Sequence, residues 1–250
     1  MSHKTVIITG ANGNLGSYAA RRYLTEKQTV LLFVKDKVDR LKNKLGSDLF
    51  NKANIIRTNL LDFERIKTNF EQTLNNYELQ PVALLHTAAM RSMDYQKLTE
   101  TNPKFWQKVV ANNLFTAYNI LKIVIPYMRK QKEGRIVLLG SNVSKIGLEK
   151  GSAYAAAKAA IANLSKTIAR EEAEKNILIN TVSPGPIKID NSNFSPEYRK
   201  FRERYYQKEI ETTPLKKLAT LKEVFELCDF LLSEKNTHIT GEEFFITGGK

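Results

Sequence analysis

Short apolar runs alternate along this chain with longer segments of helical periodicity. The short runs are rich in valine, isoleucine and leucine and are flanked by turn-forming residues, a pattern that favours buried strands. We predict seven strands, at residues 5–9, 29–34, 54–57, 81–86, 135–139, 177–182 and within 240–249. The main helical segments reach to about residue 27 and then cover about 38–45, 63–74, 103–130, 154–175 and 221–232. Strands that alternate with helices predict an α/β fold, a doubly wound parallel sheet with helices on both faces.

The length and composition suit one domain. The chain has 250 residues, of which 42% are hydrophobic, and this is enough for one substantial core over residues 1–250. No stretch approaches about 18 consecutive apolar residues, so no membrane-spanning helix is expected. The first apolar run is too short for a signal-peptide core, which favours a soluble cytoplasmic protein.

The charged, cysteine and histidine residues narrow the possible partners. The net charge is +13, from 39 basic and 26 acidic residues, and such a field attracts acidic molecules. The basic residues are dispersed and no nucleic-acid-binding motif is present, so we expect no nucleic-acid partner. Cys228 is the only cysteine, and His3, His86 and His238 are far apart in sequence. We therefore predict neither an intrachain disulfide nor a metal site.

The first predicted strand runs directly into a glycine-rich turn and then into a helix. A strand, a glycine turn and a helix in this order form the dinucleotide-binding pattern of Rossmann-type folds, because glycines let the backbone approach a pyrophosphate at the positive end of the helix. An ordinary glycine-rich turn is the other interpretation. We expect cofactor contacts from Gly10, Asn12, Gly13, Asn14, Leu15 and Gly16.

The tip of the second strand bears on the choice of cofactor. Dinucleotide folds place an acid here for a free ribose 2′-hydroxyl and a cation for a 2′-phosphate. Val34 stands where the acid is expected and Lys35 follows it, which favours NADP(H) over NAD(H). Asp36 keeps NAD(H) open, because a shift of one residue in the strand end would bring its carboxylate to the ribose.

Small residues follow the fourth strand. Ala88 and Ala89 would let a cofactor lie close to the backbone. His86, which ends the strand, has small or apolar neighbours, so we interpret it as a packed residue and not as an acid or base.

The stretch from Gly140 to Lys158 concentrates the candidate chemistry. Ser141 follows the fifth strand, at the edge of a parallel sheet where ligands bind. Tyr154 and Lys158 are four residues apart and share one helix face, with about 5–6 Å between their Cβ atoms. An ammonium at that distance would lower the tyrosine pKa and suit it to proton transfer. An isolated YxxxK pair is more often a coincidence, so the surrounding motifs must decide.

The glycine turn, Ser141, Tyr154 and Lys158 follow one another along the chain in this order. With them the sequence resembles the short-chain dehydrogenase/reductase family over essentially the whole chain. Ser141 lies 13 residues before Tyr154, a spacing typical of the single-domain members. The resemblance implies that Tyr154 is the acid or base, that Lys158 lowers its pKa and holds the nicotinamide ribose, and that Ser141 binds the substrate oxygen. It further implies that Asn113 connects Lys158 to solvent, and it adds cofactor contacts from Asn59, Leu60, Pro184, Gly185 and Ile187.

Three departures from the family pattern concern cofactor contacts. The turn TGANGNLG has the glycine spacing of the extended and atypical branches, with Asn14 where the single-domain branch usually has glycine. The run from His86 to Ala89 replaces the usual Asn-Asn-Ala-Gly. Ile189 stands where a threonine often contacts the cofactor.

The resemblance implies an NAD(P)H-dependent oxidoreductase that interconverts a carbonyl and a secondary alcohol. It also implies a homo-tetramer or dimer packed through the Pro103 and Tyr154 helices. A 3-oxoacyl-carrier-protein reductase is an alternative that the basic surface would suit, and a non-catalytic dinucleotide sensor or scaffold is a second. Residues 188–213 are polar, basic and aromatic, and are either a substrate lid or an ordinary surface helix. Lys200, Arg202 and Arg204 in this segment hint at an acidic substrate group.

Overall fold

The structure is a computed structural model that describes residues 3–91, 95–190 and 194–250. Its centre is a seven-stranded sheet in the order β3-β2-β1-β4-β5-β6-β9, in which every neighbouring pair is parallel. The strands are β1 His3–Thr9, β2 Thr29–Val34, β3 Asn54–Arg57, β4 Leu79–His86, β5 Gly134–Leu139, β6 Ile177–Pro184 and β9 Glu243–Ile246. Two short strands, β7 Ile187–Lys188 and β8 Ala219–Thr220, pair separately. The predicted doubly wound, seven-stranded parallel sheet is confirmed.

Helices cover both faces of the sheet. They are α1 Asn14–Thr25, α2 Val38–Leu45, α3 Ser47–Phe50, α4 Phe63–Tyr77, α5 Pro103–Val110, α6 Thr116–Gln131, α7 Val143–Ile146, α8 Ser152–Glu172, α9 Pro196–Thr212 and α10 Leu221–Leu232. Single 3₁₀ turns lie at Leu98–Glu100 and Ala173–Lys175. Each strand from β1 to β5 is followed by a helix before the next strand of the sheet, as parallel sheets require.

The apolar positions of the helices divide into two cores, one on each face. On one face, α4, α6 and α8 bury residues such as Phe70, Ile120 and Ile161. On the other, α1, α2 and α10 bury residues such as Leu41 and Phe225. The strands are apolar on both sides because each face is covered, which is why they read as continuous hydrophobic runs.

The long segment predicted at 103–130 is a helix interrupted by a π turn. Pro103 occupies the first turn of α5, where a missing N–H costs nothing, and Asn102 caps the helix. Residues Ala111–Phe115 form the π turn, which joins α5 to α6. By length and composition alone the run Pro103–Gln131 could cross a membrane, but 56% of its most apolar window is buried in the protein. Core helices of soluble proteins show the same property.

Candidate active site

Two cavities lie side by side at the carboxyl edge of the sheet, where the strands deliver their loops. One is a groove of about 240 Å³ between the ends of β1, β2 and β4. The other is a pocket of about 290 Å³ that opens in front of Ser141 and Tyr154. Ligands of open parallel sheets bind at this edge. The chain therefore brings its glycine turn and its candidate acid or base to one face of the molecule.

The glycine turn is built for close approach. Gly10 has φ of +67°, and a Cβ there would lie 2.7 Å from the backbone nitrogen of Ala88, so only glycine fits without a shift. A Cβ on Gly16 would lie 2.5 Å from the carbonyl oxygen of Gly10. Gly16 thus packs α1 against the turn. Gly13 precedes α1 without a side-chain cap, which leaves first-turn N–H groups of α1 free to bind an anion.

Only some of the residues around the turn that were predicted to contact the cofactor line the groove. Gly10, Asn12 and Gly13 line the groove. The side chain of Leu15 is buried in the core, so the predicted contact from it is limited to its backbone. Asn14 accepts a hydrogen bond through Oδ1 from Lys44 Nζ at 3.2 Å.

Lys44 is a residue that sequence reasoning missed. Its ammonium also donates to the carbonyl oxygens of Asn12 at 3.0 Å and Gly13 at 3.3 Å. Burial and the charge of Arg40 lower the Lys44 pKa from its usual value. The lysine lies on α2, about 30 residues beyond the turn, so no local motif could have pointed to it.

Lys35 and Asp36 both line the far end of the groove, beside Asn59 and Leu60. The strand β2 ends at Val34 as predicted, and both following side chains are exposed. Thr58 was not predicted, although it lines the same cavity and its buried hydroxyl has no hydrogen-bond partner among the described residues. An adenosine that enters this end would meet a cation, a carboxylate and an open hydroxyl.

Tyr154 faces the second pocket from the start of α8, and Ser141 lines the same pocket. Burial raises the pKa of Tyr154, while the charge of Arg91 and the nearby Ser141 side chain act in the opposite direction. Burial is the largest influence on the Tyr154 pKa, and Lys158 is not among the groups that shift it. The lowering of this pKa by Lys158 therefore stays a prediction.

Lys158 is fully buried, at 1% exposure. Its ammonium lies 5.6 Å from the centre of the Tyr154 ring and donates to the Leu139 carbonyl oxygen at 2.6 Å. Burial lowers the pKa of Lys158 to about 7, so its charge is partly lost near neutral pH. A buried amine with this pKa can take up or release a proton under physiological conditions.

Asn113 lies in the π turn and is the buried member of the Asn112–Asn113 pair. Its amide nitrogen donates to the carbonyl oxygens of Met90 at 2.7 Å and Val109 at 2.8 Å. Its Oδ1 is buried with no partner among the described residues, and such an atom is a ready acceptor for water. The Asn112 amide instead donates to the Lys108 carbonyl within the helix.

His86 is buried at the end of β4, as predicted. Its Nδ1 lies 2.8 Å from the Thr9 hydroxyl oxygen. Burial, aided by the charge of Lys158, lowers the pKa of His86 to about 3. The imidazole is therefore neutral near pH 7 and acts as a packed polar residue.

The end of β6 and the loop after it line one side of the pocket in front of Tyr154. Pro184, Gly185 and Ile187 line the pocket in front of Tyr154, so the structure brings these three predicted residues to the site. The backbone N–H of Ile189 donates to the Tyr206 hydroxyl at 3.2 Å. Ile189, which departs from the family pattern, is thus tied to α9.

Glu243 on β9 is a second residue that the sequence did not reveal. Its Oε1 accepts hydrogen bonds from the hydroxyls of Ser144 at 2.6 Å and Ser183 at 2.5 Å. Ser144 lies one turn after Ser141 and also contacts the Ser141 carbonyl at 2.8 Å. One carboxylate therefore ties β9 and β6 to the loop that carries Ser141.

Helix α9 occupies most of the predicted lid. It is a surface helix from which several residues line the pocket, and its role as a substrate lid stays a prediction. Residues 191–193 of the predicted lid lie outside the described residues.

The residues present fit a nicotinamide dinucleotide. The groove has a glycine floor that a Cβ would fill, an uncapped helix start for a pyrophosphate, and Ala88 and Ala89 along its side. Within the described ranges, no cluster of three or more His, Cys, Asp or Glu residues could hold a metal ion.

A doubly wound parallel sheet with a glycine turn and a Tyr–Lys pair at its carboxyl edge is typical of one class of protein, the dinucleotide-binding oxidoreductases. Comparison with known proteins agrees, because the family model described as short chain dehydrogenase matches residues 4–199. The chain belongs to the short-chain dehydrogenase/reductase family, and it is an NAD(P)-dependent oxidoreductase.

Several relatives resemble the chain along its full length. A 3-oxoacyl-(acyl-carrier-protein) reductase of Buchnera aphidicola is 30% identical, covering 100% of this chain and 98% of its own. An acetoacetyl-CoA reductase of Cupriavidus necator is 27% identical over 100% of this chain and 98% of its own. A solved structure, ElxO with NADP bound, has a TM-score of 0.88 at 27% identity and covers 98% of each chain.

Proposed function

We propose that this enzyme interconverts a carbonyl and a secondary alcohol, with Tyr154 as the acid in reduction and the base in oxidation. The placement of Ser141 and Tyr154 in the lining of one pocket carries the proposal. It places a hydroxyl donor and a proton donor where one substrate oxygen can meet both. A protein that only senses a dinucleotide would need no such pair.

The residues of the site have separate roles in binding the cofactor and substrate and in transferring the proton. Tyr154, whose pKa burial raises, is neutral near pH 7 and donates its proton to the substrate oxygen, while Ser141 stabilises the charge that develops there. Lys158, held by the Leu139 carbonyl, binds the ribose and returns a proton to Tyr154. The buried Oδ1 of Asn113, which has no partner among the described residues, accepts a hydrogen bond from a water that connects Lys158 to solvent. The nicotinamide, when bound, supplies or accepts the hydride.

Tyr154→Phe tests this assignment, because phenylalanine keeps the ring and removes the proton. We expect a fall of about 100- to 10,000-fold in kcat, measured as oxidation of NADPH with a panel of carbonyl compounds. Cofactor affinity, measured by fluorescence titration, should change little. Tyr77→Phe, at a tyrosine that is 58% exposed, is the matched control. Equal turnover by Tyr154→Phe and wild type would refute the role.

For the cofactor we favour NADP(H). Lys35 lines the groove at the tip of β2, and ElxO, a relative in structure and sequence, was solved with NADP bound. We expect Lys35→Ala to weaken NADPH binding about 10- to 100-fold, as for the loss of a charge-assisted hydrogen bond, with little effect on NADH. Lys52→Ala, at another exposed lysine, is the control. A wild-type preference for NADH would overturn this choice.

A second candidate function is reduction of 3-oxoacyl groups on an acidic carrier protein. Two observations favour it, the names of relatives at 29% and 30% identity and the net charge of +13. If it is correct, kcat/KM should be higher with a carrier-bound substrate than with the same acyl group on a small thiol, and the advantage should fall as salt is added. An equal kcat/KM for both would exclude it.

We also propose that the enzyme is a cytoplasmic homo-dimer or homo-tetramer that assembles through α5, α6 and α8. Phe115 and Tyr118 project from this region with 54% and 48% of their surface exposed. Large exposed aromatic side chains are typical of protein interfaces. Light scattering of wild type and a Phe115→Glu variant tests this, since a charge at the interface should shift the mass towards the monomer.

A further inference from the structure

The pocket in front of Tyr154 has an aromatic and cationic wall. Tyr198, Phe201 and Tyr205 of α9 line it together with Arg202, and Arg91 lines it from the loop after β4. The rings of Tyr198 and Phe201 are stacked with centres 6.0 Å apart. Among the described residues that line the pocket, none is acidic.

Arg202 is unusual for its position. It lies on a polar surface helix, yet only 6% of it is exposed. Its guanidinium lies 4.4 Å from the Tyr206 ring centre and 5.6 Å from that of Tyr205, and it donates to the Tyr206 hydroxyl. That hydroxyl in turn donates to the Ile187 carbonyl oxygen at 3.0 Å. Two tyrosines and a strand therefore hold the guanidinium in a set position.

The bonding of Arg202 is incomplete. Its Nε is buried and has no hydrogen-bond partner, and no carboxylate forms an ion pair with it, within the ranges that the structure describes. A buried cation without a counter-ion is costly, and the cost falls when an anion completes its hydrogen bonds. The planar guanidinium fork matches a carboxylate, which it can bind with two parallel bonds.

Arg91 adds a second positive charge to the lining of this pocket. Its charge acts on both Tyr154 and Tyr205, so it lies within electrostatic reach of the acid and of the aromatic wall. No ion pair to Arg91 occurs in the described part of the chain either. The pocket thus presents two guanidinium groups, neither paired with a carboxylate of the described residues, to whatever carbonyl compound reaches Tyr154.

We propose that the substrate is an oxo acid, a carbonyl compound whose carboxylate is held by Arg202 with support from Arg91 while its carbonyl oxygen meets Ser141 and Tyr154. This inference rests on the proposed carbonyl reduction and adds the substrate class. The aromatic residues of α9 would flank the carbon chain between the two polar ends. Reduction converts the ketone to a hydroxy acid and leaves the carboxylate unchanged.

The test compares oxo acids with their neutral methyl esters. Acetoacetate, 4-oxopentanoate and 5-oxohexanoate span three separations between carbonyl and carboxylate, and each is assayed beside its ester with wild type, Arg202→Met, Arg202→Lys and Arg199→Met. Arg199 is an exposed arginine on the same helix, so its replacement makes the same change in net charge. Far-UV circular dichroism checks that each variant is folded.

We expect at least one acid to exceed its ester in kcat/KM by about 30-fold or more, as for a buried charge pair. Arg202→Met should lower this acid-to-ester ratio by a similar factor, Arg202→Lys should recover part of it, and Arg199→Met should keep it within about twofold. A wild-type enzyme that uses esters as well as acids would overturn the inference. An equal loss on acids and esters in Arg202→Met would show that the arginine is only structural, and would overturn it too.

A binding measurement separates this inference from the proposed reaction. If wild type turned over neither acids nor esters, nor any neutral ketone, the proposed reaction would fail. Calorimetric titration of 4-oxopentanoate and its methyl ester into the protein with NADPH then decides the anion site alone. If wild type binds the acid and Arg202→Met does not, the result supports the anion site. Absence of binding to wild type, or equal binding by the variant, overturns it.

Discussion

Replacing Lys158 by methionine should make the protein more stable at pH 6 and less stable at pH 10. Lys158 is buried, and its pKa is lowered from 10.5 to about 7, a difference that corresponds to about 5 kcal/mol. The folded protein carries this cost in full below pH 7, where the buried amine must be charged. Between pH 7 and 10.5 the unfolded chain binds more protons than the folded one, so wild-type stability rises with pH and the cost disappears.

The net effect of Lys158→Met on the free energy of unfolding also includes the loss of a hydrogen bond. Methionine is similar in length and apolar, but it leaves the Leu139 carbonyl, which accepts from Lys158 at 2.6 Å, without its donor. An unsatisfied buried acceptor costs about 1–3 kcal/mol. We therefore expect Lys158→Met to gain about 2–4 kcal/mol in free energy of unfolding at pH 6 and to lose about 1–3 kcal/mol at pH 10.

The assay is urea unfolding of wild type and variant at several pH values and one protein concentration, followed by circular dichroism. Lys166→Met, at an exposed lysine on α8, is the control and should differ little from wild type throughout. A stability difference that stays constant from pH 6 to pH 10, or a variant that is less stable at pH 6, would refute the reasoning. Turnover by Lys158→Met should be lost at every pH.

Two further predictions concern the supports of the site. Gly10→Ala places a Cβ 2.7 Å from the Ala88 nitrogen at a positive φ, so we expect a loss of about 1–3 kcal/mol in unfolding free energy and a marked loss of NADPH affinity by calorimetry. Gly46 also has a positive φ, but the space around its Cβ position is open, so Gly46→Ala should lose stability without losing NADPH affinity. Equal affinity losses in the two variants would contradict the assignment of Gly10 to the cofactor groove. Glu243→Ala removes the acceptor for Ser144 and Ser183 and should lower kcat about tenfold or more, as for lost hydrogen bonds to a charged group. Glu243→Gln, which keeps an acceptor oxygen, should retain most of the activity, and equal kcat values in the two variants would show that the carboxylate does not position Ser141.

The strands of the sheet and the order of the chemical groups along the chain can be predicted from local sequence patterns. Apolar runs predict strands because a sheet covered on both faces buries every side chain. The glycine turn can be recognised in the sequence because its backbone geometry allows almost no other residue. The spacing of Tyr154 and Lys158 likewise sets a shared helix face. Such features depend on neighbours within a few positions, so the chain alone reveals them.

The electrostatics of the site and the chemistry of the pocket depend instead on contacts that form only in the folded chain. The pKa of Tyr154 is raised and that of Lys158 lowered, because burial depends on how α8 packs and outweighs the attraction that the spacing suggests. Lys44 and Glu243 reach the site from about 30 and 100 residues away. The burial of Arg202 against Tyr206, which distinguishes it from the exposed Lys200 and Arg204 of the same helix, is likewise a property of the fold. Contacts between distant segments leave no periodic pattern in the sequence, and the fold alone brings them together.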